Sequence, residues 1–293
     1  MAPFGHLLTA MITPFTSSGE VDYEQTWRLA RFLVDHGSDG LVVTGTTGES
    51  PTLSSEEKVA IYRTVVEAVG EKAQVIAGAG TYDTAESVEL TRRAAEVGCH
   101  GVMAVTPYYS RPPQQGLIEH FTAVAEASDL PVLLYNIPSR TGRRIELDTL
   151  ARLAEHPQIV AVKDAVGELT FTTKTRLATG EGFAIYSGDD INTLPMMAVG
   201  AVGIVSVAAH LAGKQIKAMV EAALRGDLAT ATRLHLALAP LAGALFLEPN
   251  PMPVKAAMNA LWEPVGDPRL PLVPASDETI QKVKETLGAV QQL

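Results

Sequence analysis

Apolar side chains in this chain come in short unbroken blocks rather than in alternation. The blocks are LLTAMI (7–12), GLVVTG (40–45), QVIAG (74–78), GVMAV (101–105), PVLLYN (131–136), IVAVKD (159–164), FAIYSG (183–188) and AVGIVSV (201–207). Continuous apolar character bounded by turn residues is the mark of strands covered on both faces, as in parallel sheets. Between the blocks the period changes to that of helices. In the first such segment the pattern places Trp27, Ala30, Leu33 and Val34 on one apolar face. In the next, Ser54 and Glu57 form a capping box after Leu53. Gly37, Gly70, Gly98 and Gly226 follow helical patterns where a left-handed cap is expected. Eight strand blocks alternating with helices predict an α/β fold, a closed (β/α)8 TIM barrel, over residues 1–225. The doubly wound open sheet ranks second, since no G-x-G-x-x-G follows the first strand. Residues 226–293 hold only helical patterns and no linker, so they read as a C-terminal helical region packed on the barrel.

Composition narrows the classes of function. Of 293 residues, 46% are apolar and 19% charged, which suits a well-packed globular enzyme. The net charge is −10 with no basic cluster, which argues against nucleic acid and anionic membrane as partners. The first residues, MAPFGHLLTAMITPF, lack the pattern of a signal peptide, and a cytoplasmic location is expected. Cys99 has no second cysteine to pair with and reads as a small core residue. The seven histidines never occur as H-x-H or H-E-x-x-H, so neither a metal nor any other cofactor is expected.

In a barrel of this kind the chemistry belongs at the C-terminal ends of the strands. The polar residues there are Thr44, Thr46 and Thr47, then Thr106, Tyr108 and Tyr109, then Tyr135 and Asn136, Lys163, Ser187 to Asp190, and Ser206. Lys163 is the one ammonium on that rim. Partial desolvation lowers a lysine pKa and leaves neutral amine able to attack a carbonyl. A lysine that snorkels to the rim or pairs with Asp164 is the plainer alternative. The surrounding threonines and tyrosines favour imine chemistry, because they offer neutral donors to a ketoacid carboxylate and phenols to move protons. GTTGES (45–50) lacks the lysine and glycine spacing of a P-loop, yet two threonines between glycines make a carboxylate cradle.

GTTGES (45–50), VTPYYSRP (105–112), YNIPSRTG (135–142), VKDA (162–165), SGDD (187–190) and EPNPMPVK (248–255) together resemble the signatures of the dihydrodipicolinate synthase family. That family belongs to the pyruvate-dependent class I aldolases related to N-acetylneuraminate lyase. The resemblance spans essentially the whole chain. It implies condensation of pyruvate with L-aspartate 4-semialdehyde to 4-hydroxy-tetrahydrodipicolinate, the committed step toward diaminopimelate and lysine. It assigns Lys163 as the Schiff-base lysine and Tyr135 as the acid/base phenol over the imine, with Thr46 and Tyr109 as its relay partners. It assigns Thr47, with Thr46, to the pyruvate carboxylate, and Gly188 and Val205 to the lining of the same pocket. Val205 stands where many relatives have isoleucine. Arg140 matches the arginine that takes the aldehyde substrate's carboxylate. Tyr109 is expected to reach a neighbouring subunit's site, in a homodimer or a dimer of dimers. Two rival functions are a sister sugar-acid aldolase of the N-acetylneuraminate lyase or 2-keto-3-deoxygluconate aldolase type, and a silent ketoacid-binding barrel. The first usually lacks the Tyr109 and Arg140 pair, and the second has no reason to retain Lys163 and Tyr135.

Lysine-inhibited members of the family bind lysine in an interface cleft that matches Ser50, Pro51, Ser55, Lys58, Tyr82, Glu86 and Tyr108. Sensitive enzymes typically have histidine at position 55 or 58 and asparagine at 82. Lys58 and Tyr82 therefore predict little or no inhibition by L-lysine.

Overall fold

A computed structural model describes residues 2–290. Eight parallel strands close into a barrel in chain order, with β8 returning to β1. They are β1 (Leu7–Ala10), β2 (Gly40–Val43), β3 (Gln74–Gly78), β4 (Gly101–Val105), β5 (Val132–Asn136), β6 (Ile159–Asp164), β7 (Ala184–Ser187) and β8 (Gly203–Ser206). Each lies inside the apolar block that predicted it. The strands alternate after all, but between two buried faces. Leu8, Val42, Ile76, Met103, Leu133, Ala161, Ala184 and Val205 fill the barrel interior. Leu7, Leu41, Val75, Val102, Val132, Val162, Ile185 and Ile204 pack outward against the helices. Both sets are apolar, so the period of two disappears from the sequence.

The outer layer comprises α1 (Tyr23–Asp35), α2 (Ser55–Val69), α3 (Thr84–Glu96), α4 (Gln114–Ala125), the single turn α5 (Pro138–Thr141), α6 (Leu147–Ala154), α7 (Leu169–Thr179), α8 (Thr193–Ala198) and α9 (Ala209–Leu224). The capping box of α2 is present: Glu57 N–H donates to Ser54 Oγ and Ser54 N–H to the Glu57 carboxylate. Gly37, Gly98 and Gly226 have positive φ as expected. Gly70 does not; it caps α2 in the right-handed region at φ −58°, donating to Val66 O. The face of α1 also differs from expectation. Leu29, Ala30 and Leu33 are buried, with Gln25 and Thr26 beside them, whereas Trp27 is 39% exposed. At about 100° per residue, position 27 lies across the helix from position 29. The indole is covered by the Arg31 guanidinium, 4.7 Å from its centroid.

Beyond α9 come α10 (Leu228–Ala244), α11 (Met252–Leu261) and α12 (Asp277–Val290). Leu234, Leu241, Val254, Met258, Val283 and Leu287 join the same continuous core as the outer face of the barrel. Residues 291–293, the end of the expected helical region, lie outside the described residues. No described helix is long and apolar enough to cross a membrane.

Candidate active site

Lys163 follows Ala161 by two residues in β6, so it continues the inward-facing row at the C-terminal end of the strand. Its Cα pairs with Tyr135 on β5 and Tyr186 on β7. The residue is 5% exposed, and its Nζ lies 4.1 Å from the Tyr135 ring centroid. Burial drives the lysine pKa down to about 7; Asp190 pulls it up and Arg140 pushes it further down. Asp164 does not pair with it. The Asp164 carboxylate accepts from Thr172 Oγ1 at 2.7 Å and from Val166 N–H at 3.0 Å. Nor does Lys163 make an ion pair with any other described residue. It is therefore a desolvated ammonium against a ring face, near the pH where half of it is neutral.

Tyr135 is 3% exposed, and burial raises its phenol to about 12, partly offset by the Arg140 charge and the Thr46 side chain. The ring has two neighbours of interest. One is the Lys163 ammonium; the other is a cavity of about 230 Å³ lined by Thr44, Thr46, Tyr108, Tyr135 and Arg140. Arg140 stands on α5 with one hydrogen bond, from Nη2 to Asn250 O at 3.4 Å, which leaves most of its fork free. Of the expected residues, Thr46, Tyr135 and Arg140 thus line the cavity, while Lys163, Thr47, Gly188 and Val205 do not. Tyr135 links the two, lining the cavity while its ring carries the Lys163 ammonium.

Thr47 is 3% exposed, and its Oγ1 accepts from Asn250 Nδ2 at 3.0 Å, so its own proton is free to donate elsewhere. Gly188 N–H donates to Asp164 O, and a Cβ there would stand 2.7 Å from Ala165 Cβ, so only glycine fits. Val205 is buried in the barrel interior on β8. Tyr109 stands apart. It is 94% exposed at φ 68° on the β4–α4 loop and does not meet Tyr135 within the protomer.

Three groups near the site were given no role by sequence reasoning. The Asp190 carboxylate is turned inward, accepting from Ser206 Oγ and from the N–H groups of Val207 at 3.0 Å and Ala208 at 3.2 Å. It is the largest favourable influence on the Lys163 ammonium. Asn250 bridges Thr47 and Arg140, and Lys255 forms a buried ion pair with Glu49. Asp190 lies in SGDD, and Asn250 and Lys255 in EPNPMPVK, motifs whose order was visible but not what each side chain touches. Cys99 is buried with its thiol pushed up to about 12, an inert core residue as expected. Among the described residues no group of three or more His, Cys, Asp or Glu could hold a metal ion.

At the positions expected to match the family's lysine cleft, Ser55 Oγ donates to Glu86 at 3.1 Å, and the Tyr82 and Tyr108 rings meet edge to face at 5.3 Å. Lys58 is 4% exposed; burial lowers its pKa and Glu86 opposes that shift.

Residues 3–290 match the family model described as the dihydrodipicolinate synthetase family. The chain is 54% identical over 284 residues to a 4-hydroxy-tetrahydrodipicolinate synthase of Moorella thermoacetica, covering 97% of each chain. A dihydrodipicolinate synthase from Bacillus anthracis superposes with TM-score 0.95 at 46% identity, over 98% of this chain and 99% of that one. The enzyme of Cyanidioschyzon merolae, solved with lysine bound, superposes with TM-score 0.97 at 44% identity over the whole of both chains.

Proposed function

Since the chain belongs to the dihydrodipicolinate synthetase family, we propose that the site around Lys163 performs the reaction of its 4-hydroxy-tetrahydrodipicolinate synthase relatives. The enzyme is a class I aldolase-type lyase of lysine and diaminopimelate biosynthesis. Its substrates in this reading are pyruvate and L-aspartate 4-semialdehyde. The observation that carries the reading is the desolvated Lys163 ammonium, with a pKa near 7, lying on the Tyr135 ring.

Neutral Nζ attacks C2 of pyruvate, and the Tyr135 phenol protonates the oxygen that leaves as water, giving the iminium. The iminium draws electrons from the methyl carbon, whose proton passes to the phenolate, so that C3 becomes an enamine nucleophile. C3 then attacks the aldehyde carbon, and the phenol protonates the new alkoxide. Finally the substrate's own amine adds to C2 and expels Lys163, closing the ring and freeing the enzyme. A phenol raised to about 12 favours its protonated form at neutral pH, so the phenolate readily takes the methyl proton, and a hydrogen-bonded chain supplies the protons it gives up at other steps. Thr46, which lines the same cavity, begins that relay, and Tyr109 of a partner subunit completes it. Thr46 and Thr47 hold the pyruvate carboxylate, Gly188 and Val205 wall its pocket, and the open fork of Arg140 takes the carboxylate of the second substrate.

No metal or other cofactor is required in this scheme. Residues 1–225 act as the catalytic barrel and 226–293 as the helical region that braces it. The enzyme works in the cytoplasm as a homodimer or homotetramer on small molecules, without nucleic acid or membrane. A sugar-acid aldolase is not favoured, since the relatives compared are synthases. The test is borohydride reduction in the presence of pyruvate, followed by peptide mass spectrometry. A pyruvyl adduct is expected on Lys163, and an adduct on any other lysine overturns the assignment.

A further inference from the structure

The turn that carries Thr46 and Thr47 is held in an unfavourable shape. Thr44 at φ 51° and Glu49 at φ 57° both occupy the left-handed region without being glycine. Such backbone persists only where its surroundings over-determine it. Within the turn, Glu49 N–H donates to Thr46 O and Ser50 N–H to Gly45 O, both at 3.1 Å. Those bonds close the turn but do not anchor it to the barrel.

Thr44 Oγ1 ties the start of the turn to Gly78 O on β3 at 3.2 Å, and the far end is anchored from α11. Lys255, 1% exposed, spends its three protons on Glu49 Oε1 at 2.8 Å, Thr13 O at 3.0 Å and Asp267 O at 3.2 Å. The other Glu49 oxygen accepts from Arg269 N–H at 2.8 Å, and the Thr13 hydroxyl donates to Gly48 O at 2.7 Å. One ammonium thereby grips the turn at two adjacent residues, directly through Glu49 and through Thr13 at Gly48. A fully buried ion pair is a weak source of stability, since desolvation offsets most of its attraction. What it supplies is a defined geometry, because neither charge can leave its partner without standing unpaired in the interior.

We propose that the Lys255–Glu49 pair is a positioning device for pyruvate recognition, holding the Thr46–Thr47 turn in its binding-competent shape. The inference rests on the assignment of those threonines to the pyruvate carboxylate. Without the grip the turn samples other conformations, and apparent affinity falls in proportion to the competent fraction. Saturating pyruvate selects the competent turn again, so KM for pyruvate rises more than kcat falls.

The experiment uses the full-length enzyme carrying Glu49→Gln and Lys255→Met together, which removes both charges and leaves neither partner ionised and unpaired. Lys255→Met alone strands a carboxylate and is expected to fold poorly. The double variant is expected to keep native circular dichroism, to raise KM for pyruvate at least tenfold, and to leave KM for aspartate semialdehyde within twofold. Titration calorimetry with pyruvate should show the same loss of affinity. A folded double variant with unchanged pyruvate KM and affinity overturns the proposal, as does an equal rise in both KM values. Thr47→Val, measured in parallel, separates the two ideas. If it raises pyruvate KM while the double variant does not, only the positioning role fails. If it leaves pyruvate KM unchanged, the carboxylate assignment fails and the positioning role with it.

Discussion

Lys163 shows how one side chain is shaped by a conflict between stability and chemistry. Burial favours its neutral form and lowers the pKa to about 7, against 10.5 when unfolded. Below pH 7 the lysine is protonated in both states, and the folded state bears the whole cost of the buried charge. Between about 7 and 10.5 the unfolded chain binds more protons than the folded one, so this residue's contribution to stability rises with pH. Each tenfold loss of proton affinity corresponds to about 1.4 kcal/mol. Lys163→Met should therefore abolish activity while raising the melting temperature. The gain should be largest at pH 6 and fade toward pH 10. Thermal melts across that range check it, and a gain that grows with pH would contradict the assigned burial cost. Stability gained by deleting a catalytic group is the expected trade at a strained site.

At the scale of elements, α2 and α3 carry residues expected to decide whether L-lysine inhibits. Ser55 and Lys58 on α2 stand beside Glu86 on α3, and Tyr82 packs edge to face on Tyr108. The related Cyanidioschyzon merolae enzyme binds lysine, so the shared backbone alone does not forbid such a ligand. In this chain the Lys58 ammonium is set against Glu86, and a phenol stands at position 82. A second cation brought close to Lys58 in a partly desolvated cleft meets a repulsion of about 1–3 kcal/mol. Each 1.4 kcal/mol weakens binding about tenfold. L-lysine should thus leave the initial rate unchanged up to millimolar concentrations, at limiting and at saturating pyruvate. A coupled reductase assay measures this, and half-inhibition below a millimolar would refute it without touching the catalytic assignment.

For the molecule as a whole, the proposed relay needs Tyr109 from a second protomer. Tyr109 projects from the β4–α4 loop, 94% exposed, and Arg111 on the same loop also has positive φ, at 50°. The loop is tied to the next one, since Arg111 Nε donates to Gly142 O and Arg143 Nη2 to Arg111 O, both at 3.0 Å. An aromatic held out from a strained, doubly tied loop fits the proposal that Tyr109 serves a neighbouring protomer's site. Two inactive variants, Tyr109→Phe and Lys163→Ala, should therefore complement when co-assembled. Random pairing into two-fold dimers gives one intact site in each mixed dimer, or about a quarter of full activity. Isolated mixed dimers with no activity above either parent would exclude a relay across the interface.

The chain's apolar blocks were enough to place all eight strands, because strands buried on both faces leave a signal in every residue; their alternation with helices left an open sheet as the second reading, and closure is seen in the structure. Lys163 drew attention for a related reason: an ammonium at the end of such a block stands out against uniform apolar surroundings. Trp27 and Gly70 show where that kind of reasoning stops. A helical stripe can be rotated by a residue or two without changing its apolar count, and a glycine permits positive φ without requiring it. Asp190, Asn250 and the Glu49–Lys255 pair became visible only in three dimensions. Lys255 lies 206 residues from Glu49, and no local period links positions that far apart. Local patterning fixes which segments become strands and which become helices, since that depends on how apolar residues recur along the chain. Which polar groups meet depends on the closure of the barrel and the docking of α11, and that is decided by packing alone.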